Sequence, residues 1–508
     1  MNKESRTKGV IVAYIATAAR TLSRLLLTPL CIRILGLDEY GFYQYIFSVA
    51  TYAMVLDFGI SSVVNKFTIE YREKGNDKGV ENVLFYTLLF SIVSAFIIII
   101  IGCAVSANAV TIFGDAASGR LSLVRWLLLL MIAEIIMLMF QHFFEGVMLS
   151  AERYVTLRTI TLIQIILRLL LTVIMLFCNI GVLSIAIGDF VGVGLCLAYE
   201  IYFVLSKIKV KIKYHFFDSR LIVNMAKLSL ALCLQSVVSY LNSSIDKYVL
   251  GRMLNTAAVS LYSIAMTCSL FFNEIPTVVQ RLYLPQAVKL VASDASGEEL
   301  TNFVIRPGRY QFILCCGILG AFILFGKHFI YLWSGPDTTS AWIIALLLMI
   351  PAVLPLAQNV CLSILTAKNK RLFRSYVMCG IAGVNLICTV LLVPKFGVLG
   401  AAMATAVSLL IGENIVMNVY YRYSININIK RLLGSICKGI LPCAFWATIL
   451  CVPLVLFERQ GVPYFLLECS VFCIVYFCLL FRFGMNTGEK LAITVGISRV
   501  FKRCKGRC

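Results

Sequence analysis

The stretch from Ser150 to Gly192 reads SAERYVTLRTITLIQIILRLLLTVIMLFCNIGVLSIAIGDFVG, and it recurs without gaps 216 positions later as Thr366 to Ser408. Ten of the 43 aligned positions are identical, including the shared turn Gly181-Val182-Leu183 and Gly397-Val398-Leu399. Identity alone means little between apolar helices, but the order of basic turn, helix, tight turn and helix also recurs. Self-similarity at a fixed offset indicates a chain built from two copies of one unit.

The composition indicates that this unit lies in a lipid membrane. Of 508 residues, 60% are hydrophobic and 14% are charged, and the mean hydropathy is +0.91. An α-helix needs about 20 mostly apolar residues to cross a bilayer, and about fourteen such segments follow one another along the chain. The predicted fold class is therefore an all-α integral membrane protein with about 14 transmembrane helices. Two six-helix lobes form a parallel repeat, and two C-terminal helices follow.

The repeat and the helix order predict four parts of the chain. Residues 1–206 form an N-terminal lobe with helices 1–6, and residues 207–221 form a basic cytoplasmic linker. Residues 222–421 form a C-terminal lobe with helices 7–12. Residues 422–508 contain helices 13 and 14 and a basic cytoplasmic tail.

The distribution of Lys and Arg predicts the orientation. Most of the 45 basic residues fall in alternate loops, as expected because cytoplasmic loops of membrane proteins retain Lys and Arg. Both termini are then cytoplasmic. The net charge of +20 is spread over these short loops, which indicates contact with anionic membrane lipids and argues against nucleic acid as a partner.

Several other function classes are disfavoured. The chain has 19 cysteines but three histidines, with no spacing typical of a metal site. No Walker motif is present, and the predicted external loops are too short for a sizeable active site. We therefore expect a secondary transporter rather than an enzyme, with no cofactor and no metal.

Basic residues inside the predicted helices are the first candidates for a binding site. Arg20 and Arg24 are four residues apart, so they lie on one face of the first helix, and Arg168 falls at the centre of the fifth. Ionised groups at this depth cost several kcal/mol and tend to face a partner or a cavity. Guanidinium groups bind phosphate through paired hydrogen bonds, so the three arginines are predicted to bind a diphosphate.

Internal ion pairing is the alternative to this cationic lining. Asp57 and Glu134 lie near the middles of the second and fourth helices and could neutralise two of the arginines. Pairing in one conformational state and exposure in another would satisfy both interpretations.

The second copy has a different polar pattern. Gln235, Ser239 and Val384 stand where the first copy has Arg20, Arg24 and Arg168. The candidate substrate contacts here are Gln235, Asn242 and Lys247, which add to Arg20, Arg24, Arg168 and Asp57 of the first copy. The candidate coupling acids of the whole chain are Glu134, Asp246, Glu274 and Glu413. The acids of the second copy either bind a coupling cation, H⁺ or Na⁺, or make hydrogen bonds between helices. The sequence leaves both options open.

A family resemblance rests on short stretches distributed along the whole chain. They are Thr21-Leu22-Ser23-Arg24 running to Ile34-Leu35-Gly36, Tyr40-Gly41-Phe42-Tyr43, Leu56-Asp57-Phe58-Gly59, Glu145-Gly146, Ala151-Glu152-Arg153-Tyr154 and Phe396-Gly397-Val398-Leu399-Gly400-Ala401-Ala402. With these features the chain resembles the polysaccharide transport family of the multidrug, oligosaccharidyl-lipid and polysaccharide flippase superfamily. The O-antigen-type lipid-linked oligosaccharide flippases are the most similar branch.

The resemblance implies a mechanism and a substrate. It implies two six-helix lobes that face each other in a V and open alternately to each side of the membrane. The substrate would be an undecaprenyl-diphosphate-linked oligosaccharide, an O-antigen, capsule or exopolysaccharide repeat unit, moved to the outer leaflet of the bacterial cytoplasmic membrane. Only Arg24 and Asp57 lie on matching motif stretches; the other site residues follow from depth and spacing.

Two related functions remain as alternatives. A multidrug cation antiporter would have twelve helices and an acidic lining, whereas this chain has about fourteen helices and central arginines. A lipid II flippase would share the fold, although Leu25 follows Arg24 where an adjacent Arg-Asp pair would be expected. We expect a monomer, with polysaccharide polymerase or assembly proteins as candidate partners.

Overall fold

The computed structural model describes residues 6–370, 372–456 and 461–491. Within these ranges the chain is helical apart from short turns and one extended linker, and it has no strand. Thirteen helices are long and apolar enough to cross a membrane, or fourteen when one bent pair is taken as a single span. The predicted fold class and helix number are confirmed. The basic tail, with Lys502 and Arg503, lies outside the described residues.

Fourteen spans are labelled here in chain order. The first seven are α1 Arg6–Leu35, α2 Leu37–Glu73, α3 Asp77–Ala107, α4 Leu121–Ser150, α5 Tyr154–Phe177, α6 Leu183–Ile208 and α7 Ser219–Met253. The next three are α8 Thr256–Ala292, α9 Gly297–Ser334 and the bent pair α10, Ala341–Ala357 with Asn359–Ala367. The last four are α11 Leu372–Phe396, α12 Val398–Ile425, α13 Ile429–Val455 and α14 Val462–Gly484.

The equivalent turns of the two sequence copies have the same local conformation. Gly181, between α5 and α6, has φ 74°, and Gly397, between α11 and α12, has φ 59°. Only glycine adopts this left-handed region without a steric penalty from a Cβ atom. The backbone conformation of this turn therefore requires glycine at the same position in both copies of the repeat.

The chain divides into two compact units, residues 1–263 with 382–401, and residues 264–381 with 402–508. In the first unit α5 packs against α1 and α6, and α4 packs against α2 and α6. One apolar core of this unit contains Val63, Phe67, Val83, Leu221 and Met225, from α2, α3 and α7. The lobe boundaries expected from the sequence, 1–206 and 222–421, remain a prediction.

In the second unit α9 is the central helix, and it packs against α10, α13 and α14. Arg309 of α9 is buried and forms an ion pair with buried Glu489, Nε to Oε1 at 2.6 Å. The same guanidinium donates to the backbone carbonyls of Ser435, Lys438 and Gly484. Arg309 therefore fixes both C-terminal helices to α9, because its donors reach the ends of both.

The linker between α6 and α7 is extended and held in place. Its lysines Lys207, Lys209, Lys211 and Lys213 are exposed, and the residues between them are half-buried. The His215 N–H donates to Asn82 Oδ1 at 2.9 Å, and the Asn82 amide donates to the Phe216 carbonyl at 2.8 Å. An extended segment outside a sheet has no backbone hydrogen-bond partners. The side chain of Asn82, near the start of α3, supplies such partners for the backbone of the linker.

Helix α2 is interrupted in its middle. A 3₁₀ segment covers Thr51–Asp57, and the two residues after it, Phe58 and Gly59, have φ values of 49° and 66°. A Cβ atom on Gly59 would lie 2.5 Å from Leu232 Cδ1 of α7. Gly59 therefore provides both a left-handed conformation and a close approach between two helices.

We predict that Gly59→Ala destabilises the protein by at least ~1–2 kcal/mol, because the left-handed backbone becomes strained and the new methyl group meets Leu232. Gly380→Ala is the matched control, since Gly380 is helical and no atom lies within 4 Å of an added Cβ. Apparent melting temperatures of the purified variants in detergent test this. A Gly59→Ala melting temperature equal to that of the control would contradict the interpretation.

We also predict that Arg309→Met destabilises the protein by about 3–5 kcal/mol, because it leaves the Glu489 carboxylate buried without its cation. The double variant Arg309→Met, Glu489→Leu recovers part of this loss, since it removes the orphaned charge as well. Thermal unfolding and limited proteolysis of α13 and α14 measure both effects. Equal stability of the wild type and the single variant would show that this pair does not hold the C-terminal helices.

Candidate functional site

Asp57 lies at the break in α2 and is paired with a histidine. His142 Nδ1 of α4 is 3.0 Å from Asp57 Oδ1. The two side chains line a small cleft whose other walls are apolar and include Met54 and Ile135. In this structure the ion-pair partner of Asp57 is thus His142.

Arg20 and Arg24 lie on an exposed face of α1. The threonines beside them hydrogen-bond to the helix itself, since Thr17 Oγ1 donates to the Ala13 carbonyl at 2.9 Å and Thr21 Oγ1 to the Thr17 carbonyl at 3.1 Å. Both hydroxyl groups therefore donate hydrogen bonds to backbone carbonyl oxygens of their own helix.

Lys247 of α7 brings a second cation to this part of the first unit. Arg24 lies close enough to Lys247 for their positive charges to repel each other. The Lys247 ammonium donates to Gln44 Oε1 at 2.9 Å, and the Gln44 amide donates to the Tyr40 hydroxyl at 3.0 Å. Tyr40 is in turn hydrogen-bonded to Thr28 of α1. These neutral side chains of α1 and α2 position the ammonium without cancelling its charge.

Arg168 belongs to a different cluster. It forms an ion pair with Asp189 of α6, and the Tyr43 hydroxyl donates to Asp189 Oδ2 at 3.4 Å. Glu134 of α4 lies within electrostatic range of both Arg168 and Asp189. The Asp189 side chain is 5% exposed and that of Arg168 is 42% exposed. The Arg168 Nε atom that faces the carboxylate is itself buried.

Asp246, next to Lys247 on α7, is buried and accepts three hydrogen bonds. The Tyr262 hydroxyl donates to Oδ2 at 2.5 Å, and Asn385 and Thr389 donate to Oδ1 at 2.9 and 3.1 Å. The donors come from α8 and α11. The carboxylate therefore joins α7, α8 and α11 within the first unit, and these partners could not be predicted from the sequence.

The remaining candidates are distributed over both units. In the first unit Gln235 is exposed, and the Asn242 amide donates to the Val238 carbonyl of its own helix at 2.9 Å. In the second unit Glu413 lies on a π-helical turn of α12 and pairs with Arg374 Nη2 at 3.0 Å. Glu274 of α8 is half-buried in the same unit.

The structure thus groups the predicted site residues in three sets. Arg24 and Lys247 come together as like charges. Arg168 and Glu134 come together around Asp189, which sequence analysis missed although it is an acid inside an apolar helix. Asp246 has its own hydrogen-bonded network. Glu413 is already compensated by a cation.

Comparisons with known proteins identify the family and the fold of the chain. A family model described as polysaccharide biosynthesis protein matches residues 7–279. The probable flippase AglR of Haloferax volcanii is 28% identical over 177 residues, which are 34% of this chain and 36% of that protein. The match thus spans about a third of that relative's length.

Two solved structures have the same fold. The lipid II flippase MurJ, in an inward closed conformation, has a TM-score of 0.72 at 17% identity and covers 92% of this chain and 98% of its own. An inward-facing multidrug resistance MATE family transporter of the MOP superfamily has a TM-score of 0.66 at 12% identity, covering 82% and 98%. Given the family match over more than half of its length, this chain belongs to the polysaccharide biosynthesis protein family and has the fold of MOP-superfamily transporters.

Proposed function

We propose that the protein is a flippase for an undecaprenyl-diphosphate-linked oligosaccharide. It moves an O-antigen, capsule or exopolysaccharide repeat unit from the inner to the outer leaflet of the bacterial cytoplasmic membrane by alternating access. It is a transporter and not an enzyme, and both of its termini are cytoplasmic. The observation that carries the proposal is the match of residues 7–279 to the polysaccharide biosynthesis family, in a chain whose membrane spans contain the cationic side chains Arg24 and Lys247.

Two neighbouring positive charges favour an anionic ligand. They repel each other, and this repulsion is strongest where the surroundings have a low dielectric constant. A diphosphate between them removes the repulsion and accepts several charge-assisted hydrogen bonds. Such a group also needs these contacts, because its charges would otherwise lose their hydration without replacement. Arg20, one turn from Arg24, extends the cationic surface, and Gln235 and Asn242 are available for sugar hydroxyls.

Arg168 binds the diphosphate in exchange for its present partner, Asp189. Its side chain is partly exposed while Asp189 is buried, so the Arg168 side chain is the member of the pair that can change partners. In this state of the protein Arg168 is neutralised by Asp189. In another state the diphosphate takes that place.

A cation gradient returns the empty carrier. H⁺ or Na⁺ binds at acids within the spans, for which Glu134, Asp246, Glu274 and Glu413 are the candidates. Glu413 is the weakest of them, because Arg374 already compensates its charge.

The two related functions differ in the charge that they require. A multidrug cation antiporter needs a site that attracts cations, which Arg24 and Lys247 oppose. A lipid II flippase also needs a diphosphate site, and the likeness to MurJ over 92% of the chain makes it the second candidate. Complementation separates the two: rescue of a lipid II flippase deletion, without rescue of any polymer flippase deletion, would favour lipid II.

We predict that the chain restores surface polymer in bacteria that lack an O-antigen or capsule flippase. Arg24→Ala lowers polymer export roughly 10–100-fold, because a hydrogen bond to a charged group is worth about 1.5–3 kcal/mol. Arg24→Lys keeps part of the activity, since the charge remains but the paired geometry is lost. Arg220→Ala, at an exposed residue near the start of α7, is the control with unchanged export. Export by Arg24→Ala at the level of this control would contradict a diphosphate contact.

A second prediction separates pairing from substrate binding at Arg168. Arg168→Ala leaves Asp189 buried and uncompensated and lowers the amount of folded protein, at a cost of about 3–5 kcal/mol. Adding Asp189→Asn restores the amount of folded protein but not polymer export, since the phosphate contact is still missing. Membrane protein levels and surface polymer are measured in parallel. Full export by the double variant would show that Arg168 has a structural role alone.

A further inference from the structure

A buried acid outside the predicted site has an incomplete set of partners. Glu200 of α6 is 1% exposed, within an apolar span. Its Oε1 accepts a hydrogen bond from the Gln141 amide of α4 at 3.1 Å. Its Oε2 is buried and has no hydrogen-bond partner among the described residues. Glu200 therefore has one donor where an ionised carboxylate needs several.

The groups that surround Glu200 do not supply a cation at contact distance. Helix α6 packs against α4 and α5. The polar and titratable groups that face the carboxyl group are Gln141, His142 and Glu145 from α4, Gln164 from α5, and Cys196 from its own helix. His142 is paired with Asp57, and Glu145 has Arg158 at 4.0 Å. No ion pair within 4 Å joins Glu200 to a described basic side chain.

The amide next to Glu200 directs hydrogens toward it. Gln141 Nε2 donates both to Glu200 Oε1 and to Gln164 Oε1, the latter at 3.0 Å. A metal cation requires several converging lone pairs, whereas the hydrogen bond that Glu200 accepts comes from an N–H donor. An isolated ionised carboxylate in an apolar interior is costly, and such groups take up a proton instead. The surroundings of Glu200 thus suit a proton and not Na⁺.

Glu200 is also aligned with the Arg168 cluster. Eleven residues, about three helical turns, separate Asp189 from Glu200 on α6, and seven residues, about two turns, separate Glu134 from Gln141 on α4. Gln164 and Arg168 are four residues apart on α5. Each of the three helices therefore carries one residue of the Arg168 cluster and one residue of the Glu200 cluster on the same face. The two clusters form successive polar layers between α4, α5 and α6.

We propose that Glu200, which is not among the four candidate acids named above, binds the proton of the transport cycle. In this state its carboxyl group carries the proton; in the opposite state the O–H bond breaks and the proton passes to water, with no change in oxidation state. Loss of the proton leaves a negative charge on the face of α6 that also carries Asp189, and so biases the packing of the layer that holds Arg168. This proposal rests on the proposed function, because it names the ion that drives it.

The test uses the purified full-length chain in proteoliposomes that contain an undecaprenyl-diphosphate-linked oligosaccharide, with and without an imposed pH gradient. Glu200→Gln preserves size and the contact with Gln141 but cannot exchange a proton, so it loses the acceleration that the gradient gives the wild type. Glu200→Asp keeps part of that acceleration. Glu145→Gln, on a neighbouring half-buried acid, is the matched control and responds as the wild type does. A Glu200→Gln variant that responds fully to the gradient overturns the proposal.

Infrared spectroscopy gives a readout that does not depend on transport. The wild type shows the carbonyl band of a buried protonated carboxylic acid, and this band is absent from Glu200→Gln and present in Glu145→Gln. Equal bands in all three proteins overturn the assignment of the proton. A wild type that shows the band but moves no lipid-linked oligosaccharide contradicts the proposed function, while the proton site stands.

Discussion

The cost of an uncompensated charge in a low-dielectric interior organises this protein. Three ion pairs between different helices avoid this cost: Arg309 with Glu489, Arg374 with Glu413 and Arg168 with Asp189. Asp246 accepts hydrogen bonds from three neutral donors on other helices. Lys247 is positioned by neutral side chains, because its ammonium donates to Gln44 and Gln44 donates to Tyr40.

The sequence predicted the helices well because the signal for a membrane span is local. A run of about 20 apolar residues determines a span regardless of what lies elsewhere in the chain. The turn at Gly181 and Gly397 was equally local, since a left-handed backbone requires glycine at that one position. Both features are therefore visible without knowledge of the tertiary contacts.

The partners of the site residues could not be predicted in the same way. Asp57 meets His142 and Asp246 meets Asn385, 85 and 139 residues apart. These contacts depend on the rotation of each helix about its axis, which an almost wholly apolar sequence leaves undetermined. Depth and spacing identified Arg24, Arg168 and Asp246 as polar positions, but not which of them are paired. Asp189 and Glu200 follow the same depth rule and were missed beside the more conspicuous arginines.

The ion pair of Arg168 and Asp189 has a consequence for the biogenesis of the protein. The two residues lie 21 positions apart on consecutive helices joined by the tight turn at Gly181. An arginine near the centre of a helix, as Arg168 is in α5, opposes membrane insertion by about 2.5–3.5 kcal/mol on the biological scale. Because α5 and α6 leave the ribosome one after the other, they can enter the bilayer as a hairpin in which each charge already has its partner. The charge of Arg168 can thus enter the membrane already paired with Asp189, before α7 to α14 have been synthesised.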